Sequence, residues 1–67
     1  MAKIQLNGKK ITLKSGTSLS RLIKKYKMNE KKIAVELNGK IVSKTLLKNR
    51  ILKNNDKVEL VHFIGGG

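Results

Sequence analysis

The chemistry that this sequence offers is concentrated at its C-terminal end, which consists of the three glycines Gly65, Gly66 and Gly67. They directly follow residues 58–64, a run of β-branched and aromatic residues that favours a strand, with no polar spacer between. Stretched out, three residues reach about 10 Å, and without β-carbons they fit a channel little wider than a backbone. Chain ends often fray, so the glycines alone indicate little. Their junction with the strand nevertheless allows the Gly67 carboxylate to be presented inside a site on another protein.

The remaining residue types give the chain little chemistry of its own. There is no cysteine, one histidine and only four acidic side chains, so neither a disulfide nor a cysteine-ligated metal site can form. No glycine-rich phosphate loop or nucleophile motif is present, and His62 is expected to be an ordinary strand residue. A terminal carboxylate is ionised at pH 7 and is a poor electrophile, so a reaction at Gly67 needs activation from outside. We therefore expect no metal, no bound cofactor and no catalysis by this chain alone.

The strong positive charge makes nucleic acid a rival partner. Sixteen lysines and arginines stand against four acidic residues, which gives a net charge of +12. Fourteen of the sixteen are lysines spread along the chain, however, and Tyr26 and Phe63 are too few to stack bases. Lysine also lacks the planar fork with which arginine reads guanine or clamps phosphate. We favour a solvated lysine-rich surface, arising from complementary acidic partners or from an AT-rich genome, over a nucleic-acid partner.

The sequence also argues against a membrane or secreted protein. Its longest apolar run is residues 33–35, far short of a membrane span, and its N-terminus lacks the apolar core of a signal peptide. The lack of cysteine agrees with a reducing compartment. We expect a cytoplasmic protein without membrane contact.

Two alternating segments around a tight turn predict a hairpin at the start of the chain. Residues 3–6 and 10–13 alternate apolar and polar side chains, and an Asn-Gly pair between them tolerates positive φ. A two-residue turn would place Ile4 opposite Ile11, with both apolar sets on one face.

The next segment has the pattern of an amphipathic helix. Thr17 or Ser18 can cap it through a side-chain oxygen. Its apolar side is formed by residues spaced as i, i+3, i+4 and i+7, namely Leu19, Leu22, Ile23 and Tyr26. Its polar side, expected to face water, consists of Ser20, Arg21, Lys24 and Lys25. We interpret Tyr26 and Met28 as core residues.

A second strand pair and a short helical turn follow. Residues 33–37 and 40–42 flank another Asn-Gly turn. Residues 43–50 are expected to hold a short helical turn from which Leu46 and Leu47 point inward.

The final strand, residues 58–64, comes after a turn at residues 54–56. If Val58 and Leu60 point into the core, the residues between and after them point outward. The expected partner-binding residues are therefore Glu59, Val61, Phe63 and Ile64. Val61 is equally able to cover neighbouring sheet surface.

The order of these elements predicts an α+β fold, in which one helix packs across one face of a mixed sheet. The first hairpin is antiparallel, and a final strand lying parallel to the first strand would close the sheet over the helix. We assign residues 1–64 to this domain and residues 65–67 to a flexible glycine tail.

The last ten residues, VELVHFIGGG, resemble the end of the sulfur carrier proteins of thiamin biosynthesis. Further similarity lies in residues 4–8, 17–19 and 34–42, so the resemblance covers essentially the whole chain. It implies the ubiquitin-like β-grasp fold, in agreement with the architecture above.

The resemblance also implies a mechanism and partners. A ubiquitin-activating-like adenylating enzyme would use ATP to convert the Gly67 carboxylate into an acyl adenylate. A sulfur-donor protein such as a cysteine desulfurase would replace the adenylate, and the resulting thiocarboxylate would deliver sulfur to thiazole synthase. Gly65 and Gly66 would thread into the partner's site and keep side chains away from the reacting carbon. The chain would be a co-substrate and not an enzyme.

Two features differ from the family pattern. Relatives usually have Asp-Gly-Asp before the last strand, where this chain has Asn54-Asn55-Asp56. Asparagine also adopts left-handed conformations, so we expect the turn to persist. Relatives are often acidic or near neutral, whereas this chain is strongly basic. Two alternatives remain open: a related ubiquitin-like carrier for molybdopterin synthesis or RNA thiolation and, favoured by charge alone, a basic nucleic-acid-binding module.

Overall fold

Within residues 1–62, which the computed structural model describes, one α-helix packs on one face of a five-stranded mixed sheet, as the sequence predicted. Along the chain the elements are β1 (Ala2–Leu6), β2 (Lys9–Leu13), α1 (Leu19–Lys25), a 3₁₀ turn (Glu30–Lys32), β3 (Ile33–Leu37), β4 (Lys40–Ile41), a second 3₁₀ turn (Lys44–Leu46) and β5 (Lys57–His62). The strands lie in the order β2-β1-β5-β3-β4, so the last strand in sequence is central in the sheet.

Both hairpin turns form where the Asn-Gly pairs occur. Asn7 and Asn38 adopt positive φ angles of 48° and 53°, and the glycine after each is left-handed as well. β1 pairs antiparallel with β2 in the predicted register, with Ile4 opposite Ile11. Because only a few residue types tolerate two left-handed positions in succession, the Asn-Gly pairs fix where each hairpin turns.

The helix α1 begins where predicted, with Ser18 as its cap. The Ser18 hydroxyl accepts a hydrogen bond from the Arg21 amide at 3.1 Å. Leu19, Leu22 and Ile23 are fully buried in the core. The apolar stripe of the helix therefore packs as its spacing predicted.

Two residues of the helical segment lie differently from the prediction. Ser20, expected to face water, is buried, because its amide donates to the Leu47 carbonyl and its hydroxyl donates to the Glu30 carboxylate. Tyr26, expected in the core, is 44% exposed, because α1 ends one residue earlier and the stripe does not continue through it. Met28 packs against the core, as predicted.

The segment between β4 and β5 covers the N-terminal end of α1. Its carbonyls accept hydrogen bonds from the first helical amides, as when the Leu19 amide donates to Arg50 at 2.9 Å. Such amides have no partner within a helix, so the segment satisfies them. Leu47 is fully buried, but Leu46, also predicted to point inward, is 49% exposed. Adjacent residues of a helical turn point in different directions, so only one of the two can face the core.

The strand β5 completes the sheet between β1 and β3. It runs parallel to β1 and antiparallel to β3. Val58 and Leu60 are buried, whereas Glu59 and Val61 are exposed, which confirms the predicted alternation. The turn before β5 holds Asn55 at a φ of 72°, so asparagine does take the left-handed position there.

The last five residues of the chain lie outside the described residues. The predicted boundary between a domain at 1–64 and a flexible tail at 65–67 therefore stays a prediction. Within residues 1–62, none of the helices has the length and apolarity that crossing a membrane would require.

We expect Leu47→Ala to lower the free energy of unfolding by about 2–5 kcal/mol, because it opens a cavity in the core. A domain of this size has only about 3–5 kcal/mol of net stability, so much of the variant should be unfolded. The neighbouring half-exposed residue offers a matched control: Leu46→Ala should cost no more than about 1 kcal/mol. Urea denaturation followed by circular dichroism gives both values. If both variants lost the same free energy of unfolding, the result would contradict the burial of Leu47 and the exposure of Leu46.

Candidate functional site

The strand that leads to the predicted reactive end is held from both edges. On one edge β5 pairs with β3 from Leu37 opposite Val58 to Ile33 opposite His62. On the other edge it pairs with the end of β1. Pairing with β3 therefore holds β5 in place up to His62, the last residue that the structure describes.

The described part of the chain contains two of the predicted site residues, Glu59 and Val61. Both lie on the face of the sheet opposite the buried side chains of β5, which we call the open face. The other predicted site residues lie outside the described residues, and their roles stay predictions: Phe63, Ile64, Gly65, Gly66 and Gly67.

Three residues that the sequence analysis did not single out lie beside these two. Ala34 is opposite Val61, and Glu36 is opposite both Glu59 on β5 and Ile41 on β4. Side chains directly opposite each other in antiparallel strands share one face. We call these five residues the acidic–apolar patch. Alternation along β3 indicates which residues point outward, but only the strand register shows that they meet Glu59 and Val61.

The apolar members of the patch are open to solvent. Ile41 is 69% exposed and Val61 is 50% exposed, with the half-buried Ala34 beside Val61. Exposed apolar side chains that cluster on neighbouring strands are typical of a surface that contacts another protein. The outward position of Val61 fits the predicted contact role.

The patch also holds two carboxylates that face each other. Like charges directly opposite across two strands destabilise a sheet. Within residues 1–62, neither Glu36 nor Glu59 forms a hydrogen bond or ion pair through its side chain. The other two acidic residues are bonded within the fold: Glu30 accepts from Ser20, and Asp56 accepts from a backbone amide of its own turn at 2.8 Å. In a strongly basic chain, the two unpaired carboxylates are thus gathered at one place.

The other half of the open face is basic. A shallow depression of about 520 Å³ lies between β1, β2 and the start of β5, and its charged lining residues are Lys3, Lys10 and Lys57 with the single acidic residue Asp56. The open face therefore changes from positive to acidic and apolar across the sheet. A partner protein with the complementary arrangement would be steered into one orientation.

The described residues show no further cluster that suggests chemistry. In residues 1–62 there is no group of three or more His, Cys, Asp or Glu residues that could hold a metal ion. His62 is the last residue of β5, so it is a strand residue as expected. The absence of a metal and of a bound cofactor stays a prediction for the whole chain.

A family comparison decides what kind of protein carries this arrangement. The model of the ThiS family matches residues 3–67. The chain belongs to the ThiS family. The resemblance drawn from the C-terminal residues and from residues 4–8, 17–19 and 34–42 is therefore confirmed.

Individual ThiS-family relatives agree with this assignment. The sulfur carrier protein ThiS of Bacillus subtilis is 37% identical over 65 residues, which span 96% of this chain and 98% of that protein. A thiazole synthase of Magnetococcus marinus is 40% identical over 65 residues, which span 97% of this chain but 20% of that protein. The crystal structure of the thiamine biosynthesis protein ThiS from Geobacter metallireducens has a TM-score of 0.82 at 28% identity, covering 97% of this chain and 99% of that one. The predicted ubiquitin-like β-grasp fold is thus confirmed.

The opposed carboxylates give a testable electrostatic prediction. A double-mutant cycle of Glu36→Gln and Glu59→Gln should reveal an unfavourable coupling of about 0.2–1 kcal/mol at low salt. The cycle is needed because each single substitution also raises the net charge of an already basic chain. At ~1 M salt, where the Debye length is about 3 Å, the coupling should nearly vanish. Urea denaturation at the two salt concentrations measures it, and zero coupling at low salt would show that the carboxylates do not interact.

Proposed function

We propose that this protein is a sulfur carrier of thiamin biosynthesis that bears the sulfur on the carboxylate of Gly67. The observation that carries the proposal is the family match, which extends through the terminal glycines to residue 67. The sequence adds a chemical reason: without a cysteine, no side chain can hold sulfur as a persulfide or thioester. The sulfur then has to be carried on the terminal acyl group.

The proposed chemistry begins with activation by a ubiquitin-activating-like adenylating enzyme that binds ATP as its co-substrate. The Gly67 carboxylate attacks the α-phosphate, pyrophosphate leaves, and an acyl adenylate forms. The terminal sulfur of a protein persulfide, provided by a donor such as a cysteine desulfurase, then attacks the acyl carbon and AMP leaves. A thiol then attacks the donor's cysteine sulfur in the remaining S–S bond, which releases the thiocarboxylate and leaves a disulfide between that thiol and the donor cysteine. Gly65 and Gly66 keep side chains away from the acyl carbon throughout.

The proposed acceptor of the sulfur is thiazole synthase. The similar segment in the Magnetococcus protein makes up 20% of a longer polypeptide that is itself named thiazole synthase. A carrier segment that is joined covalently to an enzyme meets its active site at a high effective concentration. Such a fusion is an advantage only when the carrier and the enzyme act together. This chain would meet its thiazole synthase as a co-substrate.

The acidic–apolar patch is the proposed surface for the adenylating enzyme. Val61 and Ile41 offer exposed apolar area, while Glu36 and Glu59 offer two unpaired carboxylates next to it. A partner with an apolar contact flanked by arginine or lysine would relieve the repulsion between the carboxylates on binding. Phe63 and Ile64, which follow Val61 along the chain, are proposed to extend the same contact toward the threaded glycines.

The rival functions have less support. Carriers for molybdopterin synthesis or RNA thiolation share the terminal glycines, but the match is to the ThiS family over nearly the whole chain. A nucleic-acid-binding role rests only on the net charge of +12. The cytoplasmic location stays a prediction of the sequence.

Sulfur loading can be read directly by mass spectrometry. Incubation with ATP, the adenylating enzyme and a cysteine-desulfurase sulfur source should replace one oxygen of the chain by sulfur. The loaded chain should then support thiazole formation by thiazole synthase. A version extended by a few residues after Gly67 is the matched control, and it should stay unmodified because its Gly67 carbon is an amide.

Three outcomes of this experiment separate the hypotheses. Loading of the native chain without thiazole formation would favour another sulfur-transfer pathway. No mass change with enzymes shown to load a known carrier would contradict the carrier function. Tight DNA or RNA binding that falls steeply with salt and ignores loss of the last two glycines would favour the nucleic-acid-binding module.

The role of the patch can be tested with two residues of nearly equal exposure. Val61→Ser should raise the KM of the adenylating enzyme for the carrier roughly tenfold, because a central apolar contact is lost. Leu46→Ser, at 49% exposure against 50% for Val61 but outside the patch, should leave the KM within about twofold. Circular dichroism checks that both variants are folded. Equal KM values for the two variants would remove the patch from the proposed interface.

A further inference from the structure

The two Asn-Gly turns do more than reverse the chain, because both of their asparagine side chains bond to β5. Asn38 binds the start of the strand: its side-chain oxygen accepts from the Lys57 amide at 2.8 Å, and its side-chain nitrogen donates to the Asp56 carboxylate at 3.0 Å. Asn7 binds further along, at Leu60. One turn thus holds the beginning of β5, and the other holds a residue in its second half.

The contact of Asn7 with Leu60 has the form of a peptide pairing. The Leu60 amide donates to the Asn7 Oδ1 at 2.8 Å, and the Asn7 Nδ2 donates to the Leu60 carbonyl at 3.3 Å. A side-chain amide carries the same donor and acceptor as a backbone peptide, so it can satisfy both groups of one strand residue. The two residues are separated by 53 positions in the chain, so this is a tertiary contact.

The position of this contact explains why it is needed. The parallel ladder between β1 and β5 ends with Leu6 opposite Val58, and the Asn7 amide then donates to the Val58 carbonyl at 2.9 Å. Beyond that point β1 turns away into β2. Without the Asn7 side chain, the backbone groups of Leu60 on this edge would have no strand beside them. The side chain continues the pairing for one more step after the neighbouring strand has ended.

We propose that Asn7 is a positioning residue, which holds β5 straight at Leu60 so that the chain leaves the sheet toward Gly67 in one direction. The inference rests on the proposed carrier function, since a fixed exit direction matters only if the end must enter a partner's site. When only a fraction of molecules presents the end correctly, the apparent affinity for the partner falls by that fraction. Loss of the contact should therefore weaken productive binding and leave the later chemistry unchanged.

The chain offers a matched pair of variants for the test. Asn7→Gly keeps the turn, because glycine accepts positive φ, and removes both side-chain hydrogen bonds to Leu60. Asn38→Gly makes the same change in the other Asn-Gly turn and also removes two side-chain hydrogen bonds, at the opposite end of β5. Asn7→Asp keeps the acceptor for the Leu60 amide but puts an oxygen where the donor was. Its Leu60 exchange rate and its KM should therefore lie between those of the native chain and those of Asn7→Gly.

Two measurements distinguish positioning from simple loss of stability. In hydrogen exchange, Asn7→Gly should speed exchange of the Leu60 amide on the order of tenfold relative to the β5 amides that pair with β3. Asn38→Gly should leave the exchange rate of the Leu60 amide unchanged relative to those same β5 amides. In adenylation and sulfur loading, Asn7→Gly should raise the KM for the carrier about three- to tenfold at unchanged kcat, while Asn38→Gly should stay within about twofold.

The outcomes separate this inference from the carrier proposal. If the native chain is loaded with sulfur and the two glycine variants share one KM, Asn7 has no positioning role and the carrier function stands. If enzymes that load a known carrier do not load the native chain, the carrier function is wrong. The positioning role of Asn7 is then wrong as well, and faster exchange of the Leu60 amide would show only a structural contact. A raised KM together with selective Leu60 exchange in Asn7→Gly alone supports the inference.

Discussion

The pairing of β5 between β1 and β3 is the interaction on which the rest of the structure depends. Val58 and Leu60 contribute buried side chains to the core from this strand, and its backbone joins two hairpins that have no direct pairing with each other. The N-terminal hairpin and the β3–β4 hairpin become one sheet only when the last segment of the chain is inserted between them. Contacts of this kind have large sequence separation, so the entropy of closing the chain opposes them until the core can form.

This topology links folding to the proposed function. The strand that completes the sheet is also the strand that leads to the terminal glycines, so an unfolded or half-folded chain has no defined exit for its end. An adenylating enzyme that recognises β5 together with its neighbours would therefore select folded carriers. Because β5 is central, its outward residues Glu59 and Val61 are flanked by β3 on the open face, and they can form a contact surface wider than one strand.

Much of the fold could be predicted from the sequence, because the turn and capping residues and the periodicity of the apolar residues indicated the same elements. The Asn-Gly pairs located both hairpins, the i, i+3, i+4 spacing located α1, and alternation gave the inward and outward residues of β5. The errors have two causes. Ser20 and Leu46 were misplaced because the segment between β4 and β5 folds back over α1, and its course depends on tertiary hydrogen bonds such as that between Ser20 and Leu47. Tyr26 was misplaced because periodicity does not show where a helix stops.

Only some residues of the candidate site could be predicted from the sequence. Glu59 and Val61 followed from alternation, and the role assigned to Gly67 followed from family resemblance and from the lack of any thiol. Glu36 and Ile41 could not be predicted as site residues, because nothing in their own strands distinguishes them. Only the register between strands shows that Glu36 lies opposite Glu59 and Ile41. The sequence predicts Asn7 only as a turn residue, because no local pattern encodes its side-chain contact with Leu60, 53 positions away.

These observations also suggest how a carrier with so little chemistry is built. One face of the sheet is used for stability, since it holds the apolar residues that pack under α1. The open face makes little contribution to the core, so it is free to hold an unfavourable pair of carboxylates and exposed apolar side chains. A small domain can tolerate this cost because the repulsion between two charges near solvent is modest in water. The open face thus combines its exposed apolar and acidic residues on the same strand that, along the sequence, precedes the terminal glycines.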